Sequence, residues 1–245
     1  MPGHPIMTDG PYTRSILRTL NVAFDGNLGG KAIVDLGCLE GGFTVEFARA
    51  GFDAHGIDAR KLNIEKCEYV AERLHLPNLH FVQDDVRNVE KHGPFDAVFC
   101  AGLLYHLDEP AAFLRTLARV TRRVLILQTH YSTVDLPGGD NLVAGNYGLS
   151  PMTVHEGNEG RWYPEFEDGE HVDEVEKLVA ASWGNHRSFW MERWHLIQCL
   201  RDAGFAPVYE QFDWLSDVVN DPYIREHDRS FFVAYRGIEP GELAS

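Results

Sequence analysis

Apolar and polar positions along the chain follow two alternating periods. Ala32-Ile33-Val34 is a short continuous apolar run, the pattern of a strand buried on both faces. Phe43, Phe47 and Ala48 then recur at helical spacing, and Gly51 stops that helix. Phe52 to Ile57 reads as a second strand. The next helix carries Leu62, Cys67, Val70 and Leu74, and Pro77 closes it. Leu79 to Val82, Ala97 to Cys100 and Val124 to Leu127 read as three further strands. A helix opened by Pro110, with Phe113, Leu114, Leu117 and Val120, precedes the last of them. Residues 31 to 130 therefore predict an α/β fold, a doubly wound and mostly parallel sheet with helices on both faces.

The flanks read differently. Residues 1 to 9 look loose, and a helix from Tyr12 shows a stripe of Ile16, Leu17, Leu20 and Phe24. After residue 130 the rhythm breaks. Residues 131 to 189 show no clear strand, and turn residues dominate around Pro137 to Asp140 and Glu156 to Gly160. A long irregular segment within a compact domain points to a functional lid. Tyr147, Trp162, Tyr163, Phe166 and Trp183 argue against disorder there. The acidic stretch from Pro164 to Glu176 reads as a solvated face. A helix returns from Met191 to Ala203 with Trp194, Leu196, Ile197 and Leu200, and Gly204 caps it. Phe205 to Phe212 and Ser230 to Tyr235 read as strands around a second insertion at 213–229. One domain over 1–245 is expected, with a leading helix in 1–29, a core at 30–130, a lid insertion at 131–189 after strand five, and a C-terminal helix and strand pair at 190–245.

The chemistry begins where the first strand ends. Asp35 closes it, and Gly37, Gly41 and Gly42 allow a sharp turn that brings backbone close to a ligand. Asp58 falls at the end of the second strand, about twenty residues on, where an acid binds ribose hydroxyls in dinucleotide folds. A nicotinamide enzyme needs Gly-x-Gly-x-x-Gly to seat a pyrophosphate on the helix N-terminus. Here the turn reads Asp35-x-Gly37-x-Leu39-x-Gly41 with Glu40 inside it. A carboxylate beside two phosphates is repulsive. S-adenosylmethionine has no phosphate, and its sulfonium and amine suit acids.

With these residues the chain resembles the class I S-adenosylmethionine-dependent methyltransferases. The resemblance continues through Phe81-Val-Gln-Asp84-Asp85-Val86 and Phe95 to His106, and covers roughly residues 30 to 130. Leu39 stands where that family usually has glycine. The resemblance implies a seven-stranded Rossmann-like sheet closed by an antiparallel pair of strands. It implies S-adenosylmethionine as cofactor and S-adenosylhomocysteine as product. Gly37, Cys38, Leu39, Glu40 and Gly41 would approach the methionine part, and Asp58, followed by Ala59, would hold the ribose. Arg60 would lie along the adenine edge. Asp84 or Asp85 would accept the adenine amino hydrogens, and Val86 would offer its N–H. Ala101 and Gly102 would lie beneath the methionine chain, and Tyr12 or Arg14 would reach its carboxylate. One of Asp84 and Asp85 is expected to be a helix N-cap.

Methyl transfer to a hydroxyl needs orientation and a base, and a histidine suits the second task at neutral pH. His130, at the carboxyl end of strand five, is the first candidate, with Tyr105 and His106 just past strand four. His155, Glu156, Asn158, Glu159 and Trp162, with Trp183, His186 and Arg187, put aromatic faces beside polar groups, as a sugar ring requires. The lid and Ser188-Phe-Trp190, read as the start of a helix, resemble, more loosely, small methyltransferases that act on sugars and other polar metabolites. A saccharide acceptor leads on this reading. A divalent metal such as magnesium could help ionise a sugar hydroxyl, but no metal motif is present.

Composition narrows the alternatives. A net charge of −15 over 245 residues, with dispersed Lys and Arg, argues against nucleic acid. Cys38, Cys67, Cys100 and Cys199 are scattered without a C-x-x-C pair, which fits free thiols and makes the cytoplasm the expected location. No apolar run spans a bilayer and no basic, apolar leader is read, so no membrane partner is expected. Two other readings compete with the small-molecule one. Gly102-Leu-Leu-Tyr-His106 resembles enzymes that modify the tRNA wobble uridine. A cofactor-binding module without turnover is the third, supported by the Leu39 departure.

Overall fold

The protein is described from a computed structural model over residues 10–133, 148–166, 181–212 and 228–237. Its main sheet has seven strands in the order β3-β2-β1-β4-β5-β10-β9. In chain order these are β1 (Ala32–Leu36), β2 (Asp53–Asp58), β3 (Leu79–Gln83), β4 (Phe95–Ala101), β5 (Thr121–His130), β9 (Val208–Gln211) and β10 (Arg229–Tyr235). The first five run parallel, and β10 is antiparallel to both β5 and β9. Among the described residues, five helices accompany them: α1 (Pro11–Ala23), α2 (Gly42–Arg49), α3 (Lys61–Leu74), α4 (Pro110–Val120) and α5 (Arg193–Asp202). This is the doubly wound sheet that the alternation of strand and helix predicts, closed by the antiparallel pair that the resemblance implies.

The pleat of β1 explains the two cores. Ile33 points to one face and packs with α1 and α2 residues such as Leu20 and Phe47. Val34 and Leu36 point to the other and pack with Leu114 and Leu117 of α4 and Leu196 and Leu200 of α5. Both cores are closed to water, so β1 and β4 read as continuous apolar runs. Strand order reverses between β1 and β4, and the carboxyl ends at Leu36, Asp58, Ala101 and His130 share one edge. Open α/β sheets bind ligands at such a reversal.

Gly56 shows how tightly the neighbourhood of that edge is packed. A Cβ there would lie 2.6 Å from the Phe81 ring and 2.9 Å from Thr44 Oγ1. Thr44 in turn donates to Asp35 Oδ2 at 2.7 Å. Gly56→Ala is therefore expected to lower unfolding stability by about 1–3 kcal/mol through overpacking. A denaturant midpoint unchanged from wild type would contradict this.

Three expectations need correction. Residues 131–189 are not strand-free: β6 (Thr153–His155), β7 (Asn158–Pro164) and β8 (Arg187–Met191) form a second, antiparallel sheet. Glu156 and Gly157, both at positive φ, make the two-residue turn between β6 and β7. Strand alternation is weak because β7 contains Gly160 and Pro164 and buries successive residues Gly160 and Arg161. Ser188 to Met191 consequently belong to a strand, and α5 starts at Arg193, capped by Glu192, which accepts from the N–H of Trp194 and His195. Leu62 and Trp194, counted in buried stripes, are exposed; Ile64 and Cys67 carry the α3 contact instead. The loose 1–9, Tyr147, the turn at 137–140, most of the acidic stretch and most of the 213–229 insertion lie outside the described residues. No described helix is long and apolar enough to cross a membrane.

Candidate active site

A cleft of about 550 Å³ opens along the carboxyl edge. Its first wall is the turn after β1. Leu39 adopts φ +49°, the left-handed region, at the position where glycine is usual. What holds it there is Asp58: its Oδ2 accepts from Leu39 N at 3.0 Å. The other oxygen accepts from Arg60 N at 2.8 Å and Asn63 Nδ2 at 3.2 Å. Asp58 thus joins the turn after β1 to the start of α3 and still borders the cleft. The bonds to one buried carboxylate offset the strain of a non-glycine left-handed residue, which costs roughly 1–3 kcal/mol.

The second wall follows β3. Asp85 caps the 3₁₀ turn Val86–Lys91 by accepting from Arg87 N at 2.9 Å, and Asp85, Val86 and Arg87 line the cleft. Asp84 turns away. Its carboxylate receives His92 Nε2 at 2.8 Å and Asn88 Nδ2 at 2.7 Å, which holds it below the usual carboxylate range.

The third wall is built at the ends of β4 and β5. Ala101, Gly102, Leu103, Tyr105, His106, Gln128 and His130 border the cleft. Gln128 Oε1 accepts from Gly102 N and from Arg229 Nη2, both at 3.0 Å. A Cβ on Gly102 would lie 3.7 Å from Tyr105 Oη and 3.9 Å from Arg229 Nη2, so glycine keeps this floor open. The His130 ring stacks on Trp190 at 4.7 Å and meets Tyr105 edge-on at 4.7 Å. Its Nδ1 lies 3.2 Å from Asp228 Oδ2, a pair with only about a tenth of each side chain exposed. Strand pairing makes the contact, because Arg229 is registered opposite His130.

The fourth wall comes from the second sheet and the residues before it. Tyr163 stacks on Trp190 at 5.1 Å. Glu165, almost fully buried, receives His106 Nδ1 at 3.0 Å and Ser182 N at 2.9 Å. Arg60 donates from Nη2 to Ala181 O at 2.7 Å, with Trp183 5.6 Å away beneath its guanidinium. These bonds fasten residues 181–183 across the end of the cleft nearest Asp58.

The cleft gathers many of the residues singled out in the sequence. Tyr12, Gly37, Leu39, Asp58, Ala59, Arg60, Asp85, Val86, Ala101, Gly102, Tyr105, His106, His130 and Trp183 line it. Tyr12 is pushed up to about 12 by burial, against the pull of the Arg229 charge, and stays a neutral phenol. Other candidates are elsewhere. Arg14 is on the exposed side of α1. Glu40 points outward to Lys66 Nζ at 2.9 Å. Gly41 caps α2 at φ +77°, packed under Phe81 and Cys67. Cys38 packs with Cys67 and Ile64, and its hydrogen bond with Cys67, with burial, pushes its thiol far up.

The proposed sugar group is largely a structural hairpin. Glu156 accepts from Ala111 N and Ala112 N at 2.8 Å each, capping α4 from outside. His155 Nε2 is 2.9 Å from Asp108 O, and Asn158 bonds Glu156 O. Glu159 lies 3.9 Å from His195. Trp162 packs under Arg187 at 3.9 Å, and His186 faces Phe166. None of these seven lines the cleft. The residues missed include Phe43, Arg87, Leu103, Gln128, Tyr163, Trp190 and Arg229, with Asp228 and Glu165 behind them. Gln128 had a signal, since it precedes His130 by two and shares its side of β5.

Asp35, read as the acid closing the first strand at the cofactor turn, instead lies within β1 beneath the cleft and is buried. Burial raises its carboxyl to about 7, opposed by the Thr44 hydroxyl and reinforced by Asp58. Below about pH 4 both folded and unfolded chains hold this proton; between pH 4 and 7 only the folded chain does. Its contribution to stability is therefore present at low pH and lost as pH rises through 7. Asp35→Asn keeps a partner for Thr44 and removes that loss. The melting-temperature difference, variant minus wild type, is expected to grow from pH 5 to pH 8; a constant difference would contradict it.

Comparison with known proteins agrees with the fold. A family model described as a methyltransferase domain matches residues 28–170, more than half of the chain. The chain belongs to this methyltransferase family. The ubiquinone biosynthesis O-methyltransferase of Acinetobacter baylyi is 30% identical over 92 residues, 37% of this chain and 39% of that protein. That of Proteus mirabilis is 29% identical over 95 residues, 38% of each. The chain therefore matches under two-fifths of the length of these curated relatives. Among solved structures, the N-terminal domain of EvdMO1 with S-adenosylhomocysteine bound is 26% identical, with a TM-score of 0.66 over 92% of this chain and 81% of that one. The same domain, crystallised in the presence of S-adenosylhomocysteine and D-fucose, gives 0.64. The magnesium protoporphyrin IX methyltransferase of Synechocystis, 18% identical with a TM-score of 0.55 over 97% of this chain and 90% of that one, shares the fold.

Proposed function

We propose that this protein transfers the methyl group of S-adenosylmethionine to a hydroxyl of a small polar acceptor, with a saccharide as the leading class. The observation that carries the reading is the His130–Asp228 pair at the wall of the cleft, between Tyr105 and Trp190. The cleft's donors fit the cofactor. A carboxylate at Asp58 matches a cis-diol, Gly37 and Gly102 leave the floor without side chains, and Arg229 offers a cation near Tyr12 for a carboxylate. Asp85 and Val86 would meet the adenine in preference to Asp84. When bound, the cofactor supplies an electrophilic methyl on a sulfonium.

The chain's own residues supply the rest. Tyr105 and Tyr163 offer aromatic faces to the acceptor's C–H surface, and His106 and Arg229 offer polar contacts. His130 takes the hydroxyl proton on the nitrogen away from Asp228, and Asp228 stabilises the imidazolium that forms. As that proton leaves, the acceptor oxygen gains the methyl and the carbon–sulfur bond breaks. His106 is assigned to the wall, because Glu165 ties it to Ser182. Residues 181–183, held by Arg60 and Glu165, act as the part of the lid that excludes water. The solved EvdMO1 domain, crystallised in the presence of D-fucose, supports a sugar among the candidate acceptors.

The test uses methyl-labelled S-adenosylmethionine and a host extract divided into small-molecule, carbohydrate, RNA and protein fractions. Label is expected in the carbohydrate or small-molecule fraction. Label in RNA alone would overturn the reading.

A further inference from the structure

The cluster with the clearest chemistry outside the cleft lies at the opposite end of the sheet. Asp53 opens β2, and His55 follows two residues later on the same face of the strand. His80 of β3 is registered directly opposite His55. The two imidazoles stack with centroids 4.8 Å apart and planes 28° apart. The Asp53 carboxylate stands between them. Its Oδ2 is 3.3 Å from His55 Nε2, and its Oδ1 is 2.9 Å from His80 Nε2. The Phe95 ring, 5.6 Å from His55, forms one wall. One ligand atom from each of the three residues falls within 4.8 Å of the other two.

We propose that Asp53, His55 and His80 bind a divalent transition-metal ion of the zinc type. Two imidazole nitrogens and one carboxylate oxygen are a donor set such ions prefer, while magnesium and calcium call for six or more oxygens. The spacing supports the same conclusion. Metal–ligand bonds of about 2.0–2.1 Å place tetrahedral neighbours roughly 3.3 Å apart. The two nitrogen–oxygen gaps, one to each carboxylate oxygen, are near this size, and each residue offers a ligand atom within 4.8 Å of the others, so side-chain rotation alone draws the three onto one ion. The side chains are between about a quarter and a half exposed, which leaves the remaining coordination positions to water.

The position gives the site a role apart from methyl transfer. β3 is an edge strand of the seven-stranded sheet, and among the described residues its strand pairing is with β2 alone. An ion shared by His80 of β3 and Asp53 and His55 of β2 clips that edge and stabilises the folded chain by mass action.

The test is a calorimetric titration of chelator-treated, tag-free protein with zinc ion, followed by thermal melts with and without zinc. Cobalt(II) absorption provides an independent view of the ligands. One ion per chain is expected, with a melting temperature that rises with zinc. His80→Ala, at an exposed position that tolerates the change, is expected to weaken zinc at least about tenfold and to alter the cobalt spectrum. His55→Ala is expected to do the same. No binding, or equal affinity and an unchanged cobalt spectrum in His80→Ala, would overturn the proposal and place any bound ion on other histidines.

Discussion

His130→Ala is expected to lower turnover by about 10²- to 10⁴-fold while leaving affinity for S-adenosylhomocysteine within roughly threefold. The reasoning is geometric. His130 lies on the Trp190 and Tyr105 side of the cleft, while Asp58, Asp85 and Val86 lie along the opposite strand ends. Removing the imidazole deletes the proton acceptor without touching the bonds that hold the Leu39 turn. Asp228→Asn is the informative companion. It keeps the shape but loses the charge that favours the imidazolium, so the rate falls less than in His130→Ala. Steady-state kinetics with calorimetric cofactor binding separate the two effects. Loss of cofactor affinity in His130→Ala would place the residue in the cofactor site instead.

The second large effect falls on binding. Asp58→Ala removes the acceptor of three hydrogen bonds at once, from Leu39 N, Arg60 N and Asn63 Nδ2. Two of these donors are backbone amides flanking the cleft, and charge-assisted bonds to a buried carboxylate are strong. Leu39, at φ +49°, then loses the bond to its own N–H. Cofactor affinity is expected to fall at least about 100-fold, roughly 3 kcal/mol, with a smaller loss for Asp58→Asn, which retains one acceptor oxygen. Calorimetric titration with S-adenosylhomocysteine measures both. An Asp58→Ala affinity within threefold of wild type would contradict the role.

Much of this site was legible because its residues follow strand ends. Gly37, Asp58, the Asp84–Asp85 pair, Ala101 and His130 could be placed from the apolar run that each follows, since that run fixes the edge. The residues that complete the site follow no such rule. Asp228 reaches His130 through antiparallel pairing of strands almost a hundred positions apart, and no local pattern encodes that register. Trp190 and Tyr163 lie on a short sheet whose strands contain Gly160 and Pro164 and bury residues without alternation. The richest polar run in that region, His155 to Glu159, misled for a related reason. Composition alone does not separate a ligand-facing loop from a hairpin that caps a helix, and Glu156 does the latter. The departure at Leu39 was legible, but its consequence was not. The chain keeps the left-handed turn by bonding it to Asp58.

Methyl transfer to oxygen on a small polar acceptor is tested by carbon-13 resonance spectroscopy of the product made with carbon-13-methyl S-adenosylmethionine and acceptor-containing small-molecule extract. A new methyl resonance is expected in the range of carbon bound to oxygen, in a molecule small enough to pass a fine filter. A methyl bound to nitrogen or carbon, or label retained only in nucleic acid, would contradict it.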